Sequence, residues 1–360
     1  MYKKLILFIS ISFCITANAQ QKPEISAVRQ KIGPVYAPPV EYKNSIYFLA
    51  SSGALYSSDL MQEKVKEIFK TKLKTVAEMV LDGSTLYFGE GTHDDKKSNL
   101  YAFDLTKNKL LYSVPVAGHI EKRPAVSGEL LIVGLGPGGI AALNRQTGKI
   151  VWQMTAIEGK SLHIDSVPII QGEKVYLGSI YEYKAILCLN LNDGKVIWKY
   201  EMGKSPKSDL ILSQNKIISL ASDGNLGMQE RQIPSDLIVL DTKTGQLISK
   251  KELRGSNYFP QLILQDSAFV ALSTGDIISV DLKNGKVSVV DQYPEPFLTS
   301  TFALQGKACA MSVLGRLFCY KDNKLVDKKE LGEINMGKVS SLIQGRIYIP
   351  SRAGFVILPQ

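Results

Sequence analysis

The segment "AALNRQTGKIVW" (residues 141–152) holds one of the two tryptophans in a chain of 360 residues, and the other closes "CLNLNDGKVIW" (residues 188–198). Both read as a small residue, an Asn two positions on, a Gly-Lys turn, two branched apolar residues and Trp. Using both tryptophans in one local pattern points to a repeated structural unit. Weaker copies stand at 239–249 ("VLDTKTGQLIS"), 279–289 ("SVDLKNGKVSV") and 102–112 ("AFDLTKNKLLY"). More degraded ones stand at 319–327 ("CYKDNKLVD") and 56–68 ("YSSDLMQEKVKEI"). Gly148, Gly194, Gly245 and Gly285 are spaced by 46, 51 and 40 residues.

Each unit has the same internal logic. In residues 163–201, "SVPIIQ", "KVYLGS", "AILCLNL" and "KVIWKYE" are β-branched or aromatic runs separated by turns at Gly172 and Gly194. Glycine supplies the positive φ such turns need, and the runs between read as strands. No stretch after the first twenty residues carries helical periodicity over ten or more positions. Four short strands per period of about 40–50 residues is the pattern of a β-propeller blade. Seven full repeats begin near Tyr36, Lys74, Ile120, His163, Ser208, Asn257 and Phe297, and an eighth, 338–360, stops after three strands. "PEISAVRQKIG" (24–34) is the candidate for its fourth strand, which would close the ring without a free edge. The expectation is an all-β, single eight-bladed β-propeller of four-stranded antiparallel blades, with seven blades as the alternative.

The repeats resemble the tryptophan-docking motif of propellers built from pyrroloquinoline-quinone (PQQ) repeats, Ala-X-Asp/Asn-X-X-Thr-Gly-Lys-X-X-Trp. The first copy matches at Ala142, Asn144, Thr147, Gly148, Lys149 and Trp152, the second at Asn190, Gly194, Lys195 and Trp198 with Cys188 in the Ala position. The resemblance runs over the chain as decaying copies and is specific for fold rather than function. It implies an architectural role for these residues, with the space beside Ala142 receiving an aromatic ring from a neighbouring blade. The family includes large quinone-dependent alcohol dehydrogenases and the smaller BamB scaffolds of outer-membrane protein assembly. The dehydrogenases imply an adjacent Cys-Cys disulfide, a metal-binding Glu and Asn and a catalytic Asp. This chain has no Cys-Cys pair, so PQQ is not expected despite the name of the repeat.

The first nineteen residues read as an export signal: Lys3 and Lys4, an apolar run from Leu5 to about Ile15, then Ala17-Asn18-Ala19 as a cleavage site. Phe13 is too large for a lipoprotein processing site before Cys14. Residues 20–360 then form one exported propeller, periplasmic or extracellular, expected as a monomer. Of 43 basic residues, Lys3 and Lys4 leave with the signal, so 34 acidic ones leave a net +7. The basic residues are scattered rather than clustered, which argues against nucleic acid and leaves room for peripheral association with the envelope.

Chemistry-bearing residues gather in loops. In an antiparallel blade, the loop between strands two and three shares a face with the connection to the next blade. His93 lies in the former loop of repeat two, while His119 and His163 lie in the connections entering repeats three and four. All three should therefore meet on one face, with Glu90, Asp94, Asp95, Glu121 and Asp165 nearby. That mixture could bind a transition metal or a polar ligand, the plain alternative being a solvated loop face. The same face carries "SIYEYK" (179–184) with Tyr181, "GLGPGG" (134–139), and "ASDGNLGMQERQIPSD" (221–236) with Met228 as a partner contact. Cys309 and Cys319 flank a turn at 313–315; a cross-strand disulfide and two small packing residues are both open readings. The function expected is a non-catalytic scaffold binding a protein or small polar ligand, BamB-like in one version. The alternative is a quinoprotein-like or metal-dependent enzyme or ligand sensor using the axial funnel.

Overall fold

The computed structural model describes residues 31–224, 232–340 and 342–359. The export signal, residues 24–30 of the closing strand, and Met228 lie outside the described residues. Seven sheets of four antiparallel strands follow one another along the chain, each in sequential order. They occupy residues 40–70, 80–117, 125–154, 169–201, 211–253, 262–292 and 302–330, here blades 1 to 7. A two-stranded sheet, Arg346–Ser351 with Gly354–Pro359, ends the chain. The chain is thus an all-β propeller.

Blade 4 shows how the sequence produces a blade. Its strands are Ile169–Gln171, Lys174–Ser179, Ala185–Asn190 and Val196–Glu201. The second and third are buried on both faces, because neighbouring blades cover both sides; they accordingly read as continuous apolar runs. The fourth is mostly exposed and carries Lys199 and Glu201 outward. In all seven four-stranded blades the pairing of strands three and four contains a register shift, beside the turn in blades 2, 3, 4, 5 and 7 and nearer the start of strand three in blades 1 and 6.

The core is divided into eight wedges, one between each pair of consecutive sheets. Blades 3 and 4 share Ile132, Ala142, Val175 and Leu187; blades 4 and 5 share Tyr176, Cys188, Trp198 and Ile238. The last two wedges place the terminal sheet in the ring: Cys309 and Met311 of blade 7 meet Ile347 and Ile349, and Phe48 of blade 1 meets Tyr348 and Phe355. Among the described residues of 338–360 two strands form where three were expected, and residues 31–34 do not add another, since Lys31 and Ile32 are helical. That segment still ties the ends together. Val35 donates its N–H to the Ser351 carbonyl at 3.0 Å and Ser51 donates to the Pro34 carbonyl at 2.8 Å.

The turn motif is the joint between blades. Asn144 Oδ1 accepts from the N–H groups of Gln146 and Thr147 and from the Thr147 hydroxyl. Asn190, Asp241 and Asp281 do the same for their turns. Gly148, Gly194, Gly245 and Gly285 follow at φ of about +70°, where a side chain would be strained. One expectation is corrected here. Ala142 is the cross-strand partner of Trp152, and the indole lies over Gly194 of the next blade. Trp198 lies over Gly245 in the same way, and Tyr112 over Gly148. The turn glycine, not the alanine, receives the ring.

Candidate functional site

Backbone hydrogen bonds lock four segments in two pairs at one mouth of the ring. Residues 90–97 of blade 2 meet the connection into blade 3 through Ile120 N–H to Glu90 O and Gly118 N–H to Lys96 O. The loop 134–139 of blade 3 meets the connection into blade 4 through reciprocal bonds between Gly136 and Ile164. Asp165 follows Ile164 and is thereby set beneath the histidines.

His119 Nε2 lies 2.9 Å from Asp165 Oδ1, and His163 Nε2 lies 2.8 Å from Oδ2. His93 Nδ1 is 3.7 Å from Oδ2, and its Nε2 is 3.1 Å from the Tyr181 hydroxyl. The three imidazole rings are mutually 5.4–5.6 Å apart, and Tyr181 packs edge-on against His163. His119 is fully buried. A Cβ on Gly136 would come within 2.4 Å of its Nε2, and one on Gly91 within 3.1 Å of its Cβ. The glycine-rich "GLGPGG" thus makes room for a histidine instead of cradling a ligand.

Electrostatics follow the contacts. Burial alone would raise the Asp165 carboxyl, but hydrogen bonds from His119 and His163 and the nearby His93 hold it well below the ordinary carboxylate range. Asp165 raises His93 directly; for His119, burial opposes the charge and Asp165 outweighs it. Burial raises the Glu121 carboxyl.

The expected neighbours divide. Glu121 and Tyr181 join the site, whereas Asp94 stays at the surface and Asp95 is spent on the N–H and hydroxyl of Thr92. Glu90 turns away into the seam between blades 1 and 2, where it accepts from Leu73 N–H and Tyr101 Oη.

His93, Glu121, Asp165 and Tyr181 lie on the wall of a funnel of about 430 Å³. Tyr36, Tyr258, Phe259 and Met336 supply its apolar wall, and Lys122, Lys207 and Lys338 its cations. Lys338 pairs with Glu78 at 3.1 Å and with Asp209 at 3.4 Å; Lys122 pairs with Asp209 at 3.4 Å. Burial works against the charge on both lysines, but Asp209 and Glu78 raise them. No sequence pattern flagged Glu78, Lys122, Lys207, Asp209 or Lys338. Their shared signal is positional: each sits at or just before the innermost strand of its sheet or in the approach to the last one.

Cys309 and Cys319 pair across strands two and three of blade 7, with sulfurs 2.01 Å apart, buried against the terminal sheet. No cysteine is among the described residues that line the funnel. The donor set there does not match the adjacent disulfide that the quinone-dependent relatives imply.

Comparison with known proteins agrees with this architecture. A family model described as outer membrane protein assembly factor BamB matches residues 92–290 and 180–323. The BamB of Legionella pneumophila (strain Paris) is 25% identical over 171 residues, covering 37% of this chain and 43% of the relative, so the match spans less than half of that protein. The crystal structure of BamB from Moraxella catarrhalis superposes with a TM-score of 0.70 at 16% identity, covering 89% of this chain and 92% of that one. The quinohemoprotein alcohol dehydrogenase of Comamonas testosteroni superposes with a TM-score of 0.68 at 14% identity over 90% of this chain and 71% of its own, a likeness of fold alone. The repeats, the ring of shared wedges and the family match together place this chain in the PQQ-like β-propeller family of outer membrane protein assembly factor BamB.

Proposed function

We propose that the protein is an exported, non-catalytic scaffold that assists assembly of envelope or outer-membrane proteins, binding a protein partner through the funnel-bearing face. One observation carries the reading: a recess at the mouth of the ring that combines aromatic and apolar walls with lysines and carboxylates. Such a mixture suits a polypeptide of mixed polarity, whose apolar side chains need burial and whose charges need partners. The rigid wedges below hold the recess in shape without partner binding, so little ordering cost falls on association. On this reading the protein acts as a monomer at the envelope, without quinone and without nucleic acid.

The test is site-specific photocrosslinking in the native envelope. A probe at Tyr181 or Met336 should trap a membrane-protein partner, and one at Asn192, in a turn at the opposite mouth, should not. Crosslinks from Asn192 alone, or none from either face, would sink the proposal. A small polar molecule recovered with the purified protein, in place of a polypeptide, would make the funnel a ligand receptor.

A further inference from the structure

We propose that His93, His119, His163 and Asp165 form a binding site for one divalent transition-metal ion, zinc by the chemistry of its donors. One candidate donor atom from each of the four residues lies within 4.8 Å of all the others. A tetrahedral zinc site with bonds of about 2.0–2.2 Å has donor–donor edges of roughly 3.3–3.6 Å. His163 and His93 stand 2.8 and 3.7 Å from Asp165 Oδ2 and His119 stands 2.9 Å from Oδ1, on either side of that edge, and all four donors lie within 4.8 Å of one another, so modest side-chain rotations would close the shell.

The donors also have the right character. Three borderline imidazole nitrogens with one hard carboxylate oxygen suit zinc and its neighbours in the transition series; calcium and magnesium prefer shells of oxygen alone. His93 is oriented for the task. Its Nε2 is engaged by the Tyr181 hydroxyl, which leaves Nδ1 directed at the cluster, the outer-shell arrangement typical of metal-bound histidine. Without an ion, the Asp165 carboxylate is shared by three imidazoles packed ring against ring. An ion would take one donor from each of the four residues and pin blades 2, 3 and 4 together at the funnel wall.

This inference is independent of the assembly role, since binding of metal and capture of a partner are measured separately. The full chain is stripped with a chelator and titrated with Zn²⁺ alone, following heat release and melting temperature. One equivalent should bind, and saturation should raise the melting temperature; Mg²⁺ and Ca²⁺ should do neither. Co²⁺ in its place should give the visible absorption of a tetrahedral site. The His93→Ala/His163→Ala variant should lose at least about 100-fold in Zn²⁺ affinity while keeping its circular dichroism, because neither side chain belongs to the buried core. Tyr181→Phe should cost about 10-fold through loss of the His93 anchor. Less than one equivalent in the wild type, or unchanged affinity in the double variant, would overturn the proposal.

Discussion

Trp152 donates its indole N–H to the carbonyl of Leu191, 2.9 Å away and one blade further round the ring. Trp198 repeats this with Thr242 at 3.0 Å, and the Tyr112 hydroxyl with Arg145 at 2.8 Å. In each case the acceptor follows the Asn or Asp of the next turn, and in each case the ring covers that turn's glycine. Ser249 keeps the hydrogen bond, to Leu282 at 3.4 Å, without a ring to cover Gly285. At this joint the decay of the motif is a loss of apolar cover, with the polar contact retained.

Removing a docked indole should loosen a single joint. Trp198 is buried to within 8% of full cover, so Trp198→Ala should destabilise by about 3–5 kcal/mol. Trp152 is more exposed, and its truncation should cost less. Chemical denaturation of both variants checks the order, and a larger loss for Trp152→Ala would contradict it.

The receiving glycines should be as sensitive as the rings. A Cβ on Gly194 would lie 2.6 Å from the Trp152 ring, on a backbone at φ +71°. Gly194→Ala should lower stability by about 2–4 kcal/mol, from the strained backbone and the displaced ring together. Gly172→Ala, with open space around its Cβ but a φ of +59°, isolates the backbone contribution and should cost about 1 kcal/mol.

Gly136 offers a way to disturb the histidine cluster from the backbone. Alanine there would place its Cβ 2.4 Å from His119 Nε2. Gly136→Ala should abolish one-equivalent Zn²⁺ binding by forcing the ring away from Asp165, while the β-sheet circular dichroism persists. Retention of wild-type affinity would mean that His119 is not a ligand.

The Asp209 cluster should appear in the acid limb of stability. Burial would raise its carboxyl, but Lys122 and Lys338 hold it at about 2, against 3.8 for an unperturbed group. A depressed carboxyl gives stability that is present above the unfolded value and lost as pH falls toward the folded one. Wild type should therefore lose about 2 kcal/mol between pH 4 and pH 2 that Asp209→Asn does not lose, and the variant should already be weaker at pH 7. Parallel acid melts of the two proteins would refute this.

Thiol reactivity separates the cysteines. Cys188 is fully buried, and burial pushes its thiol up to about 11. Beyond Cys14, the folded protein should show no thiol reactive to a disulfide reagent. Unfolding should reveal one, and unfolding with reductant three. Loss of the Cys309–Cys319 bond, which closes a loop with a sequence separation of 10, should cost about 2–3 kcal/mol.

Most of the architecture is local and was legible for that reason. An Asx turn, a glycine at positive φ and a run of branched residues are decided within about ten positions, so "AALNRQTGKIVW" and its copies reveal strands, turns and period directly. The face of each loop followed as well, since antiparallel order alternates the two mouths of the ring. That alternation alone brings His93, His119, His163 and Asp165 to one side. Register across blades is a different matter. Which ring covers which glycine is fixed by the angle between neighbouring sheets, so the sequence alone points to Ala142 as the receiver, and the room that "GLGPGG" leaves for His119 emerges only in the fold. The paired Lys122, Asp209 and Lys338 come from three separate connections, and nothing local distinguishes them from surface charges. By itself the sequence determined the repeating unit, most of its strands and the mouth to which the histidines and Asp165 belong. Only the closed ring decided which of those residues touch, because convergence at the funnel depends on packing summed over every wedge.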